Sequence, residues 1–190
     1  MIKEAIKKLV AGNDLTFDEA TQVMDEMFSG TATQSQMAAY LTALRIKGET
    51  IDEITASAQV MREKALHIKP NRDVLDIVGT GGDGTGTFNI STTAAFIIAA
   101  AGIPVAKHGN RSMSSKSGSA DCLEQLGINI NITPEKSEEV LNKAGICFMF
   151  AQGYHSSMKY VGPVRKEIGI RNIFNVLGPL TNPAGADLQV

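Results

Sequence analysis

The sequence predicts an α/β protein with a small N-terminal helical bundle ahead of a mainly parallel α/β domain. Three observations lead there. Residues 1–67 carry three capping-box patterns, each followed by a segment of helical apolar period. From Val74 onward, short runs of β-branched and aliphatic residues alternate with helical segments, the order that produces a parallel sheet. Between the two regions lies His67–Arg72 (HIKPNR), a polar connector with a proline. The expected boundaries are therefore 1–67 for the bundle and 73–190 for the α/β domain, joined by a hinge. A length of 190 residues accommodates one ordinary domain or two small ones, and 43% apolar residues suffice for a packed core.

In the bundle, Ile2, Ile6, Leu9 and Val10 share one face of a first short helix that Gly12-Asn13 ends. Thr16-x-x-Glu19, Thr33-x-x-Gln36 and Thr50-x-x-Glu53 then open three more helices. Their apolar faces hold Val23, Met24 and Met27; Met37, Tyr40, Leu41 and Leu44; and Ile54, Ala58 and Met61. Gly30 and Gly48 occupy C-cap positions. The methionines read as core filler, since an unbranched thioether adapts to irregular gaps.

In the second region Val74–Val78 is a buried strand, and a helix starts near Ser91. That helix, TTAAFIIAAAG, is apolar almost all round and is expected to be buried. Val105–Lys107 forms a strand leading into the loop KHGNRSMSSKSGS. Ala120–Leu126 is a helix with Ser119 as its cap and Asp121 in its first turn, ending at Gly127. Pro134 sits at the first position of a helix running through Asn142. Ile146–Ala151 is the next buried strand, followed by a loop over Gln152–Ser157.

Composition narrows the function classes. A net charge of −2 gives no global attraction to nucleic acid or anionic membrane. Cys122 and Cys147 form neither a disulfide framework nor a metal-site spacing. The N-terminus lacks the apolar core of a secretory signal, and no run reaches membrane-spanning length. A cytoplasmic protein is expected.

The stretch GTGGDGTGT after the first strand places glycines at Gly79, Gly81, Gly82, Gly84 and Gly86. Glycine lets main-chain N–H groups approach a ligand with no Cβ in the way. The helix entrance at Ser91-Thr92-Thr93 adds free N–H groups and the positive end of the helix dipole. Strand, glycine loop and helix start together read as an anion cradle for phosphate. The competing reading, a tight connection that binds nothing, does not call for five glycines in eight residues.

Gly79-x-Gly81-x-x-Gly84 matches the dinucleotide fingerprint, but the acidic residue due about 20 residues later is missing. That region, Ile103–Gly109, is basic instead. No Gly-Lys-Ser/Thr follows the glycines, so a P-loop fails as well. What remains is a phosphate loop with one acid, Asp83, close to a second loop carrying Lys107, His108, Arg111 and Lys116 with no acid among them. This suits a ligand with several phosphates, a sugar and a divalent metal.

The motifs GTGGD (Gly79–Asp83), NIST (Asn89–Thr92), KHGNR (Lys107–Arg111), GSAD (Gly118–Asp121) and GPLTNP (Gly178–Pro183) resemble those of the anthranilate phosphoribosyltransferase family, in its order and spacing. The resemblance runs through Val190 and implies a domain of the nucleoside phosphorylase/phosphoribosyltransferase type. Family members are longer, so the α/β domain is expected to be incomplete and to lack the family's acidic Asp-Glu pair for magnesium. The implied reaction moves the phosphoribosyl group of phosphoribosyl pyrophosphate to the amine of anthranilate, in tryptophan biosynthesis. Such a displacement needs leaving-group charge neutralised and the reactants held in line.

By resemblance, phosphoribosyl pyrophosphate is held by Gly79, Gly82, Asp83, Thr87, Asn89, Ile90, Ser91 and Thr92 on the first loop. Lys107, His108, Gly109, Asn110, Arg111, Ser112, Met113, Ser114, Ser115 and Ser119 hold it on the second. Ser91 is the implied ligand to Mg2+. Gly79, Asn110 and Arg165 are implied for anthranilate, with Arg165 on its carboxylate. Asp83 acts through a metal-bound water or on the ribose, or caps its own turn. His108 lines the acceptor pocket or packs in the core. The resemblance also implies a homodimer through residues 1–67. Without the acidic pair, the chain alone is expected to bind phosphoribosyl pyrophosphate weakly and turn over negligibly. The alternatives are a pyrimidine-nucleoside phosphorylase-like enzyme and a noncatalytic phosphate-binding member of the family.

Overall fold

A computed structural model of the chain describes residues 1–81, 87–112 and 117–190. It divides into two compact units, one of residues 1–64 with 156–180, the other of residues 65–155 with 181–190. The sequence boundaries, 1–67 and 73–190, differ from this division at residues 65–67 and, more widely, at 156–180. The reason for the second difference is packing: two helices and the turn between them bury Val161, Val164, Ile173, Phe174 and Leu177 in the same core as the N-terminal helices.

The helical unit contains α1 (Ile2–Val10), α2 (Phe17–Ser29), α3 (Gln34–Lys47) and α4 (Ile51–Glu63), with α9 (Met158–Ile168) and α10 (Phe174–Leu180) from later in the chain. All three capping boxes are formed, with Thr16, Thr33 and Thr50 each accepting from the N–H three residues on. Gly30 ends α2 at φ 77°, the left-handed region a side chain disfavours. The core is built on Val23, Met24, Met27, Tyr40 and Leu44, so the methionines are core residues.

One capping residue does more than cap. The Glu53 carboxylate is fully buried and accepts the Leu15 N–H at 2.9 Å, the Thr50 N–H at 2.8 Å and the Lys47 ammonium at 2.9 Å. Lys47 also reaches Asp14 at 2.6 Å. The α1–α2 connector and the α3–α4 corner are thus tied to one side chain.

The α/β unit holds a parallel sheet of β1 (Leu75–Asp76), β2 (Val105–Gly109), β3 (Ile146–Phe150) and β4 (Leu188–Gln189), in the order β3-β2-β1-β4. Its helices are α5 (Ile90–Ala100), α6 (Ser119–Gln125), α7 (Pro134–Ala144) and the single turn α8 (Ala151–Tyr154). β2 and β3 pair over their full length, Val105 with Ile146 through Gly109 with Phe150.

Several expectations are corrected. β1 is shorter than Val74–Val78, and β2 continues two residues past Lys107, because its pairing with β3 runs to Gly109. Gly118, not Ser119, stands at the N-cap of α6, and the segment after β3 opens with the turn of α8. α5 is not buried all round. Thr92 and Ala95 are buried, yet Phe96 is 40% and Ile97 66% exposed. The sheet takes one stripe of this helix, and no described residue covers the opposite face.

Glu53→Ala should lower the stability of the helical unit by about 3 kcal/mol, because Lys47 and two N–H groups lose a buried partner. Thermal unfolding measures this, and a midpoint equal to wild type would rule it out.

Candidate functional site

All four strands are parallel, so the segments that follow β1, β2 and β3 leave from the same edge of the sheet. Ligands of such sheets bind at that edge. After β1 the chain passes through Ile77 and Val78 to the exposed Gly79–Gly81. Gly82 and Asp83 lie outside the described residues, as do Met113, Ser114, Ser115 and Lys116 of the second loop. The first loop returns at the exposed Thr87 and at Asn89, the residue before α5. Ile90 is 52% exposed, Ser91 is half-buried and Thr92 is buried.

The two loops meet through side chains. The Asn89 amide donates to the Ser117 carbonyl at 3.3 Å, joining the start of α5 to the end of the second loop. From β2, the Lys107 ammonium reaches back to the Ile77 carbonyl, and the His108 N–H donates to Asp76 Oδ1 at 3.1 Å. Lys107 is 5% exposed, inside the sheet edge and not projecting from a loop. Burial lowers its pKa and the charge of Asp76 opposes that shift. Burial raises the pKa of Asp76, against the pull of Asn182, the His108 N–H and Lys107. Asn182 also donates to the Ala106 carbonyl at 2.9 Å, tying the return from α10 to β2.

The second loop is closed at its base by Asp121 of α6. One oxygen, Oδ2, accepts from Ser112 N–H at 3.1 Å and Gly118 N–H at 2.8 Å. These two backbone donors, first Gly118, hold its pKa below the usual carboxylate range. A Cβ at Gly118 would collide with the backbone of Asn110, Arg111 and Ser112, so the loop ends approach too closely for any side chain there. Ser119 Oγ donates to the Asn110 carbonyl at 3.2 Å beside the half-buried Gly109. Arg111, one of four cations in a loop that itself holds no acid, finds acids on the helix that follows. Its guanidinium pairs with Asp121 at 2.9 Å and Glu124 at 2.6 Å and lies over the Phe150 ring.

His108 is buried and its ring stands 5.1 Å from that of His155, which follows α8. Burial drops the His155 pKa to about 4; the Thr181 backbone opposes the shift in part, and the charge of His67 adds to it. Arg165, on α9 of the helical unit, lies over the Phe174 ring at 5.2 Å, and its Nε has no hydrogen-bond partner. Burial lowers its pKa to about 10, which leaves it charged at neutral pH.

No group of three or more His, Cys, Asp or Glu among the described residues forms a metal site. The Ser91 hydroxyl could supply one oxygen to magnesium, an ion usually held by few protein groups. An apolar concavity of about 470 Å³ lies in a different place, between α5, α7 and the sheet, and meets the site residues only at Thr92 and Lys107.

Asp76, Asp121, His155 and Asn182 were given no site role from sequence. Asp121 and Asn182 stood inside the quoted motifs. Asp76 carried a signal of its own, a lone acid within an apolar strand.

A parallel sheet with two loop ends joined at its C-terminal edge, in a chain that also carries a helical unit, is matched by a glycosyl-transfer family. Residues 3–65 match the Glycosyl transferase family, helical bundle domain, and residues 71–190 match the Glycosyl transferase family, a/b domain; the chain belongs to this family. An anthranilate phosphoribosyltransferase of Ruminiclostridium cellulolyticum is 60% identical across 100% of the chain and 56% of its own length. One from Methanobrevibacter smithii is 62% identical, again across the whole chain and 57% of its own. The chain thus spans about half the length of the curated relatives it matches. The crystal structure of the Thermus thermophilus anthranilate phosphoribosyltransferase superposes with a TM-score of 0.91 at 49% identity, over 98% of this chain and 57% of that one. The Saccharomyces cerevisiae enzyme in complex with PRPP and Mg gives 0.85 at 29% identity, over 96% and 55%.

His155 makes stability fall in acid. Between pH 6.5 and about 4 the unfolded chain binds a proton there that the folded chain does not. The contribution is complete above pH 6.5, is lost as pH falls to about 4, and amounts to roughly 3 kcal/mol. Thermal midpoints of wild type and His155→Gln should converge as pH falls through this window. Midpoints that stay parallel would remove His155 as the cause.

Proposed function

We propose that the protein transfers the phosphoribosyl group of phosphoribosyl pyrophosphate to the amine of anthranilate, giving N-(5-phosphoribosyl)anthranilate and pyrophosphate in tryptophan biosynthesis. The observation that carries this is identity of 60–62% across every residue of the chain to relatives bearing that enzyme's name. The joined loops at one sheet edge support it, since a leaving pyrophosphate needs converging donors and cations.

In this reading the pyrophosphate lies against Gly79, Gly82, Asp83, Thr87 and Asn89–Thr92 on one side and the 107–115 loop with Ser119 on the other. The buried Lys107 contributes positive potential from below. Arg111, already paired with two acids, contributes its backbone N–H and not its charge. Ser91 gives one oxygen to the Mg2+ that accompanies the phosphates, and the bound ion neutralises leaving-group charge. Gly79 and Asn110 are assigned to anthranilate by the resemblance, and so, for its carboxylate, is Arg165, whose guanidinium Nε is unpaired within the helical unit. A homodimer through residues 1–67 is supported by Val10, Ile46 and Ile51, which are 74%, 82% and 83% exposed. The work is that of a cytoplasmic biosynthetic enzyme.

Calorimetry on the 190-residue chain should detect phosphoribosyl pyrophosphate binding in the presence of magnesium, competed by pyrophosphate. Joined to the matching second half of the R. cellulolyticum relative, the chain should consume anthranilate and release pyrophosphate in equal amounts. Absence of both binding and turnover would end the proposal. In that fusion, Arg165→Lys should raise KM for anthranilate about ten-fold or more with a smaller change in KM for phosphoribosyl pyrophosphate, because an ammonium cannot reproduce the guanidinium fork. Equal effects on both KM values would move Arg165 away from the carboxylate.

A further inference from the structure

The end of β1 and the end of β2 exchange side chains for main chain. Asp76 Oδ1 accepts the N–H of His108, one residue past Lys107. Lys107 in turn donates to the carbonyl of Ile77, one residue past Asp76. Both side chains are buried, Asp76 fully and Lys107 at 5% exposure, and they carry opposite charges. The backbone pairing of β1 with β2 registers Leu75 with Val105, before these residues. The exchange therefore begins where the strand pairing ends and the two loops part. Its four groups lie just below the points where Gly79 and Asn110 start those loops.

We propose that Asp76 is the positioning residue of the anion site: paired in a reciprocal staple with Lys107, it fixes the separation at which the glycine loop and the 110–118 loop leave the sheet. Asp76 touches no substrate in this role. It acts through the His108 main chain. What the role needs is an oxygen of this reach that accepts the buried N–H; the carboxylate charge is an added offset to the buried ammonium. The inference rests on the anion-binding reading above, so the probe is inorganic pyrophosphate with magnesium and not the full reaction.

The test pairs calorimetric titration of pyrophosphate with amide hydrogen exchange at His108, on the 190-residue chain. Asp76→Ala should weaken pyrophosphate binding about ten-fold or more and speed exchange at His108, because the buried N–H loses its acceptor. Asp76→Asn keeps an oxygen of the same reach and should restore both to within about three-fold of wild type. If the alanine variant does not fold, Asp76→Ser, whose hydroxyl is too short to reach, makes the same comparison with asparagine. Ser137→Ala removes the buried Tyr154–Ser137 hydrogen bond elsewhere in the unit. It should lower the melting temperature without changing pyrophosphate affinity. Wild-type affinity in Asp76→Ala, or a loss in Asp76→Asn as large as in Asp76→Ala, would overturn the positioning role. A wild-type chain that binds no pyrophosphate would instead overturn the anion reading and the inference with it.

Discussion

The parallel pairing of Val105–Gly109 with Ile146–Phe150 is the constraint from which the candidate site follows. Pairing to Gly109 keeps Lys107 and His108 in strand geometry, where alternate side chains must enter the layers on either side of the sheet. Lys107 and His108 are consequently buried polar residues, and each has to find a partner inside the protein. Lys107 meets the Ile77 carbonyl, and the His108 ring lies against that of His155. A strand three residues shorter would have left both in a solvated loop. Polarity at this edge is thus set below the surface, and the loops above inherit its positions.

Much of this was legible in the chain itself. Each capping box announced a helix start, since a threonine and a glutamate or glutamine three residues apart satisfy two N–H groups locally and need no tertiary help. Alternation of apolar runs with helical periods conveyed the parallel sheet, and glycine density marked the first loop. These are short-range signals. The partners of Arg111 were not of that kind: its acids, Asp121 and Glu124, lie on the next helix and face it only after the loop has closed. Counting cations within the loop alone therefore overstated its free positive charge.

The same limit accounts for the other differences between sequence reading and structure. TTAAFIIAAAG implied burial on all sides by composition, but burial depends on what packs opposite, and periodicity within the helix carries no such information. Residues 156–180 joined the helical unit because Val161, Val164 and Phe174 complete its core, although their position in the chain suggested the other unit. Asp76 falls within the run read simply as a buried strand, with nothing local to name its partner. Only the register of β1 against β2 gives it a partner.

Asp121 carries a consequence for how the second loop can vary. One carboxylate oxygen receives the N–H groups at both ends of the segment, so the ends are joined by a group that belongs to neither. Variation at position 121 is therefore confined: a residue without an acceptor at that reach would release both N–H groups at once, together with one of the two acids that hold Arg111.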